Sequence, residues 1–239
     1  MKILIACEES QTVCKSMREL GHEAYSCDIL PCSGGHPEWH IQCDIMEVLG
    51  EQIRIVTQDG VEHWIDKWDL MIAHPPCTYL SKAGTRWLYP QRKLNQERYK
   101  KGIEGKDFFM KLFNANIPMI AVENPVPHRV FDMPKETQRI QPYDFGHPIK
   151  KTTLLWLKGL PNLQSTNVTT ERINYFDKKG IKHTGLNGWS AKRKSKTFSG
   201  IAQAMANQWT TMEVKSGCDA NDDGIPPNNK LLGILPNEL

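Results

Sequence analysis

Residues 69–81 read DLMIAHPPCTYLS, a stretch that predicts a strand followed at once by a stiff turn. The first five residues form an apolar run of strand length that stops at His74. Pro75 and Pro76 fix two φ angles and remove two backbone donors, so the strand must end there. The thiol of Cys77 is thereby placed just past a strand end, where ligands collect in open α/β sheets. On this loop alone, Cys77 could equally be a buried cysteine without chemistry.

A second strand end carries a carboxyl group. Residues 117–122 (IPMIAV) have strand character and run directly into Glu123, Asn124 and Pro125. A thiol at one strand end and a carboxyl group at another supply a nucleophile and an acid. We therefore predict that Cys77, Glu123 and Asn124 form a catalytic site, with Asn124 and Pro125 holding the loop.

Pro75-Pro76-Cys77 followed by Glu123-Asn124-Pro125 resembles the DNA cytosine-5 methyltransferases, whose Pro-Cys and Glu-Asn-Val motifs occur in this order. The short members found in phage and prophage genomes match more closely, and the resemblance covers about residues 2–209. It implies a three-layer, Rossmann-like α/β fold of the S-adenosyl-L-methionine-dependent methyltransferases, acting on DNA. The target cytosine would be flipped out of a duplex or lie in a single strand.

The resemblance also implies a role for each catalytic group. Cys77 would add to carbon 6 of cytosine, which makes carbon 5 nucleophilic enough to take a methyl group. Glu123 would protonate ring nitrogen 3 as the acid. Such an acid should be buried, with its pKa raised toward neutrality.

The first forty-five residues predict the cofactor half of such a fold. Residues 2–6 and 22–27 read as strands, and residues 11–20 as a helix with Ser10 as its N-cap. The turn between them lacks the glycines that the resembled family carries. Asp28 is expected on the ribose hydroxyls, or else is a solvated turn residue. The predicted cofactor contacts are Ala6, Glu8, Ser10, Asp28, Ile29, Asp44, Ile45, His74 and Pro75.

The resemblance places Asp44 beside the adenine ring, although it could also cap a helix at residues 45–49. Cys27, Cys32, His36, His40 and Cys43 are zinc-ligand types, but they lack a Cys-x-x-Cys knuckle, so we predict no stoichiometric zinc. The loop that contains them is expected to cover the cofactor, with Trp39 as a stacking partner.

Several later segments predict a surface for nucleic acid. Residues 53–65 read as a hairpin with a two-residue Asp59-Gly60 turn, and residues 95–116 as a long helix. Between them, residues 82–92 form a basic and aromatic loop, in which Arg86, Trp87 and Tyr89 are candidates for contact with a flipped base. Residues 151–157 read as a strand, which in the family opens with basic residues. The predicted nucleic-acid contacts are Arg86, Lys150, Lys151, Lys192, Arg193 and Lys194.

The sequence also predicts how the chain divides into domains. Residues 1–159 and 197–213 are predicted to form the catalytic, cofactor-binding domain, with a helix at residues 199–212 capped by Ser199. Residues 160–196 are rich in lysine and aromatics without apolar periodicity, and would form a small recognition lobe or a solvated basic loop. Residues 214–239 have the composition of a polar tail.

Composition bounds the remaining possibilities. The chain has 239 residues, a net charge of +3 and an odd number of cysteines, seven, which does not suggest a secreted disulfide framework. The pattern predicts a protein of the bacterial cytoplasm without a membrane span or an obligate protein partner. Two alternatives stay open: a methyltransferase for RNA or a free pyrimidine nucleotide, and a catalytically inactive methyltransferase-like protein that binds DNA.

Overall fold

The computed structural model describes residues 1–171, 173–176, 182–184, 186 and 189–211. The helices are α1 (Thr12–Glu19), α2 (Thr85–Leu88), α3 (Gln96–Phe113), α4 (Ala191–Ser195) and α5 (Ser199–Thr210). The strands are β1 (Lys2–Ala6), β2 (Glu23–Cys27), β3 (His40–Ile41), β4 (Ile53–Val56), β5 (Glu62–Ile65), β6 (Leu70–Ala73), β7 (Met119–Pro125), β8 (Gln138–Ile140), β9 (Thr153–Lys158), β10 (Asn174–Phe176) and β11 (Lys182–Thr184).

Seven of these strands form one mostly parallel sheet in the order β3-β2-β1-β6-β7-β9-β8. The first five run parallel to one another, and β9 runs antiparallel between β7 and β8. The chain moves outward from β1 to β3 and then returns to the other side of β1. The order therefore reverses between β1 and β6, which opens a crevice at the carboxyl ends of these two strands.

The sheet is covered on both faces because its central strands are apolar on both sides. Ile3 and Ile5 of β1 pack in a core with α1 and α5, whereas Leu4 and Ala6 face a second core that contains Phe109 of α3. All four of these β1 side chains are fully buried. A parallel sheet covered by helices on both faces is the expected consequence of such continuous apolar strands. The three-layer, Rossmann-like α/β fold predicted from the sequence is confirmed.

Element bounds agree with the predictions to within a few residues, but three local details were predicted wrongly. Helix α1 is not capped by Ser10, because the carboxylate of Glu8 accepts hydrogen bonds from Val13 N–H and Cys14 N–H at 2.7 and 3.2 Å. A carboxylate at this end also complements the helix dipole. Helix α5 is not capped by Ser199 either, since the Nε2 atom of His147 accepts from Gly200 N–H at 3.0 Å.

The third correction concerns the β4–β5 hairpin. Val56 pairs with Glu62, and Thr57 N–H donates to Val61 O at 2.9 Å, which leaves a three-residue loop rather than the two-residue turn. Gly60 ends that loop with a φ of 87°. A left-handed glycine in this position matches the twist of the two strands.

The segment from residue 160 onward is only partly described. Leu163 is buried in the core that contains α5, and Trp209 of α5 donates from Nε1 to Pro161 O at 3.0 Å. The start of the predicted basic lobe is therefore attached to the main sheet, and the division into a recognition lobe stays a prediction. The predicted polar tail, residues 214–239, lies outside the described residues. No helix in the described part of the chain is both long and apolar enough for a membrane span.

Candidate active site

Two adjoining cavities lie at the reversal point of the sheet. The first has a volume of about 720 Å³ and is walled by Cys7, Cys27, Asp28, Asp44, Ile45 and Phe108, among others. The second has a volume of about 490 Å³, and its wall includes His74, Cys77, Glu123, Lys151, Lys196 and Thr197. Four residues belong to both walls: Cys7, Asp28, Leu30 and Pro76. A ligand in the first cavity would therefore lie directly beside the second.

Cys77 is held on the wall of the second cavity by a rigid turn. Leu70–Ala73 is completely buried, and the two prolines end the strand immediately after His74. The carbonyl oxygen of Cys77 accepts hydrogen bonds from Leu80 N–H at 3.1 Å and Ser81 N–H at 2.9 Å. The thiol itself is half-buried, so a ligand in the cavity can reach it.

Glu123 and Asn124 lie inside β7 rather than on the loop after it, because both pair with β9 through Leu155 and Leu154. The buried amide of Asn124 donates from Nδ2 to Pro75 O at 3.2 Å. Asn124 therefore ties β7 to the turn that presents the thiol. Its Oδ1 atom has no hydrogen-bond partner within the described residues.

The carboxylate of Glu123 is paired with His74. The Nδ1 atom of His74 lies 2.8 Å from Oε2 of Glu123, and the hydroxyl of Thr197 donates to the same oxygen at 3.4 Å. Burial by itself would raise the pKa of Glu123. The hydrogen bond from His74, the charges of Lys151 and His74, and the Thr197 hydroxyl outweigh that effect and lower the pKa to about 2. The predicted rise of this pKa toward neutrality is therefore wrong.

The pKa of the Cys77 thiol is raised. Burial is the main cause and the charge of Glu123 adds to it, while the charge of Lys151 acts in the opposite direction. The thiol is the resting form at neutral pH, so reaction at sulfur requires removal of its proton.

The loop between β1 and α1 forms one wall of both cavities without any glycine. Cys7 and Gln11 adopt φ angles of 59° and 56°, the left-handed region that glycine favours. Two hydrogen bonds of the buried Gln11 side chain offset the cost of this backbone conformation and fix the next loop. Its Nε2 atom donates to His36 O at 2.7 Å, and its Oε1 atom accepts from His36 N–H at 3.1 Å. The backbone shape that the missing glycines would allow is thus imposed by tertiary contacts.

The predicted cofactor residues divide between the two cavities. Asp28, Ile29, Asp44 and Ile45 line the first cavity, and Asp28 also lines the second. Glu8, Ser10, His74 and Pro75 line the second cavity. Ala6 is fully buried in β1 and borders neither cavity.

Both aspartates also make the local contacts that their alternative roles require. Asp28 accepts from Leu30 N–H at 2.9 Å, as a turn aspartate does. Asp44 caps a single 3₁₀ turn, Ile45–Glu47, by accepting from Met46 N–H at 3.0 Å.

Trp39 does not lie in the first cavity, so its predicted role as a stacking partner for the cofactor is corrected. Its ring stacks on His36 with the centroids 3.8 Å apart, and the Arg18 guanidinium lies over it on the α1 side. The Sγ atoms of Cys27 and Cys43 are 3.9 Å apart. In the described part of the chain, no group of three or more His, Cys, Asp or Glu side chains is placed to hold a metal ion.

Of the predicted nucleic-acid residues, Lys151 and Lys194 line the second cavity. Arg86 and Lys150 are exposed and border neither cavity, and the Arg86 guanidinium lies 4.6 Å from the ring of the exposed Trp87. Arg193 stacks on Trp189 at 3.6 Å. Tyr89 packs against His128. Lys192 belongs to α4, but its side chain is outside the described part of the structure.

Comparison with known proteins adds little to this geometry. No protein-family model matches the chain, and no curated protein matches it. Among solved structures, the chain is similar to a protein from E. coli described as a DNA modification methyltransferase encoded within a prophage. The sequence identity is 10%, the TM-score is 0.38, and the match covers 71% of this chain and 52% of that protein. The matched region thus spans about half of that protein, and at this TM-score the likeness carries no argument about function.

The sequence offered no direct sign of several wall residues. Thr197 reaches the Oε2 atom of Glu123 from 74 positions away, and Phe108 of α3 lines the first cavity from within the long helix. A hydroxyl before a helix and an aromatic on its apolar face are both common features without functional meaning. The packing of α5 on α1 brings Thr197 to the second cavity, and the packing of α3 on β7 brings Phe108 to the first.

Proposed function

We propose that this protein is a DNA cytosine-5 methyltransferase that uses S-adenosyl-L-methionine. One observation carries the proposal: the thiol of Cys77 and the carboxylate of Glu123 lie on the wall of one cavity, although 46 positions separate them in the chain. Cys77 follows β6, and Glu123 lies in the adjacent strand β7. Carbon 5 of cytosine is a poor nucleophile until a group adds to carbon 6, so the reaction needs a thiol and a proton-exchanging group together.

The first cavity supports the assignment of the methyl donor. Its volume of about 720 Å³ is in the range of cofactor sites, and its wall is mainly apolar with carboxylates at Asp28 and Asp44. Apolar walls suit a purine ring, and carboxylates accept hydrogen bonds from ribose hydroxyls. The residues present therefore fit a nucleoside, despite the turn without glycine. When bound, S-adenosyl-L-methionine would supply an electrophilic methyl group.

The second cavity supports the assignment of the base. Cys77 on its stiff turn would add through sulfur to carbon 6, while Glu123 exchanges a proton with ring nitrogen 3. Asn124 would hold the two groups in register through its bond to Pro75. Lys151 is close enough to Glu123 and Cys77 to change the pKa of both, so its charge would also favour the electron-rich ring formed on addition.

The cationic part of the same wall supports a nucleic-acid substrate. Lys151, Lys194 and Lys196 all line the second cavity, and positive side chains around an entrance attract a phosphate backbone. A base inside a duplex cannot reach a half-buried thiol, so the nucleotide must be flipped out or lie in a single strand.

The proposal is tested by tritium transfer from labelled S-adenosyl-L-methionine to duplex DNA, RNA and dCMP. We expect transfer to duplex DNA, and its loss in Cys77→Ser. Cys32→Ser is the matched control, because Cys32 borders neither cavity. Undiminished transfer in Cys77→Ser would overturn the mechanism. Transfer only to RNA or dCMP would show that the substrate is RNA or a free nucleotide and not duplex DNA. DNA binding without any transfer would indicate an inactive DNA-binding protein.

A further inference from the structure

His74 lines the second cavity beside Cys77 and Glu123, and the reaction above gives it no role. Its side chain is 11% exposed and that of Glu123 is 13% exposed, so their 2.8 Å contact is shielded from water. Both hydrogen bonds that Glu123 receives within the described residues, from His74 and from Thr197, go to Oε2. The pair therefore fixes one carboxylate oxygen and leaves Oε1 for a ligand.

Charged and titratable groups face this pair from every element around it. Glu8 approaches from the β1–α1 loop, Cys77 from the turn after β6, and Lys151 from the residues before β9. Lys194 and Lys196 reach the same cavity wall from the segment that carries Thr197. Burial lowers the pKa of His74, but the bond to Glu123 and the charges of Glu123 and Glu8 overcome burial and the opposing Lys151, so the pKa is raised. Both shifts favour an imidazolium paired with a carboxylate.

We propose that His74 is a positioning residue that keeps Glu123 ionised, so that Glu123 carries the thiol proton of Cys77 to ring nitrogen 3. This inference rests on the proposed function. A glutamic acid that was already protonated could not accept a proton from the thiol. An ionised one can, and the same carboxyl group then becomes the acid that nitrogen 3 requires.

The step balances within the site. The S–H bond of Cys77 breaks and its proton passes to Glu123. The sulfur forms a bond to carbon 6, and the displaced ring electrons move toward nitrogen 3, which takes the proton from Glu123. His74 keeps its own proton throughout, and no outside acid is consumed. After methyl transfer, nitrogen 3 returns its proton to Glu123 and a water molecule takes the proton from carbon 5. The electrons of that C–H bond re-form the carbon 5–carbon 6 double bond as sulfur leaves with its electron pair, and Glu123 returns the proton to the thiolate.

The first test reads protonation directly and needs no activity. Protein labelled with ¹³C at the glutamate side-chain carboxyl is titrated by NMR, with Glu123 assigned by the peak that is lost in Glu123→Gln. We expect Glu123 to stay ionised at and below pH 5 in the native protein. In His74→Gln its midpoint should rise by about 1–3 pH units, the usual effect of losing an opposite charge at this distance. A native midpoint near neutrality, or no rise in His74→Gln, would overturn the inference.

The second test compares the pH profiles of kcat for methyl transfer. With a native pKa of about 2 and a rise of about 1–3 units, the new midpoint lies at about pH 3–5. If Glu123 must be ionised, the activity of His74→Gln relative to the native enzyme should fall as the pH is lowered from about 6.5 through this midpoint, about tenfold for each unit below it. If Glu123 instead acts as a preformed acid, that ratio should rise. A ratio that does not change with pH would show a merely structural role.

His22→Gln is the matched control, because His22 lies on the turn after α1, outside both cavities. Its activity ratio should not change with pH. The two tests also separate the inference from the proposed function. If the NMR shifts are as expected but no methyl transfer occurs, the proposed function is wrong and the ion pair still stands. If transfer occurs but the NMR midpoint of Glu123 does not shift, the role of His74 is wrong.

Discussion

The side-chain amide of Asn124 on β7 donates to the backbone oxygen of Pro75, 49 positions earlier, at 3.2 Å. This bond is buried and connects the strand that carries the carboxylate to the turn that carries the thiol. Because Asn124 borders neither cavity, it would act on the proposed reaction only by fixing the distance between the two groups.

Asn124→Ala should therefore reduce kcat much more than it weakens binding of the methyl donor. Loss of the bond leaves Pro75 O unsatisfied and lets the turn shift, and displacement of reacting groups by about 1 Å can cost about 100-fold in rate. Kinetics and calorimetry on the same preparation would check this. Asn116→Ala is the control, since Asn116 makes an exposed bond to Glu51. A variant with unchanged kcat would refute the role of Asn124.

The reactivity of Cys77 should respond in opposite directions to its two charged neighbours. Burial is the largest cause of the raised pKa of the thiol. The charge of Glu123 raises this pKa further, and the charge of Lys151 lowers it. Glu123→Gln should thus move the pH midpoint of iodoacetamide alkylation down, and Lys151→Met should move it up. Peptide mass spectrometry would follow Cys77 alone. Shifts of the same sign in both variants would contradict the geometry.

The His74–Glu123 pair should stabilise the fold in a limited pH window. Glu123 has its pKa lowered from 4.5 to about 2, so its contribution is complete above about pH 4.5 and is lost as the pH falls toward 2. His74 has a raised pKa, so its contribution is complete below about pH 6.5 and is lost as the pH rises through the folded value.

Urea unfolding of the native protein and of His74→Gln/Glu123→Gln measures this window. The advantage of the native protein should be greatest at about pH 5–6, on the order of 3 kcal/mol, and smaller at about pH 3 and pH 8.5. Each single variant should be less stable than the double variant, because it leaves one buried group without its partner. A difference in free energy that is constant with pH would show that the pair is not ionised.

Two glycines of α3 provide a matched test of packing. A Cβ atom at Gly102 would lie 2.1 Å from the ring of the buried Phe131, whereas one at Gly105 would touch Leu80 at an ordinary 3.4 Å. Gly102→Ala should cost about 1–3 kcal/mol by overpacking. Gly105→Ala should be neutral or stabilise the fold by up to about 1 kcal/mol through helix propensity. Thermal unfolding would decide, and equal effects would be inconsistent with this packing.

Asp28 and Asp44 should each contribute to donor binding. Replacing a carboxylate that accepts a hydrogen bond costs about 1.5 kcal/mol, so Asp28→Asn and Asp44→Asn should each raise the Kd for S-adenosyl-L-methionine about tenfold. Isothermal calorimetry would measure both. Asp59→Asn, on the β4–β5 loop, is the control. If neither variant weakens binding while the control also has no effect, the donor does not occupy the first cavity.

Most of the sheet could be predicted because its strands are continuous apolar runs bounded by turn residues. The same regularity predicted that the ends of β6 and β7 meet, which brought Cys77 and Glu123 to one cavity. The charge state of Glu123 could not be predicted in this way. It depends on His74, which was predicted only as a cofactor contact at the end of a strand. It also depends on Lys151, which was predicted as a nucleic-acid contact and is brought to the site by the pairing of β9 with β7, just before β9 begins.

Two other errors have the same physical origin. Ser10 is a good cap by residue type, but the carboxylate of Glu8 reaches the same N–H groups from further back because the loop turns at Cys7. Trp39 lies in a loop that was expected over the cofactor, yet Gln11 binds that loop through His36 on the α1 side. Capping and loop placement of this kind are decided by tertiary contacts, which no local pattern contains.

The pairing of β7 with β9 has a consequence for engineering. Glu123 is opposite Leu155, and Pro125 is opposite Thr153, so a hydrogen-bond ladder holds the carboxylate in place. Lys151 lies two residues before this ladder begins, outside β9. Attempts to accept a bulkier pyrimidine should accordingly substitute the wall residues Thr78 and Lys194, which lie outside the sheet, and leave β7 and β9 unaltered.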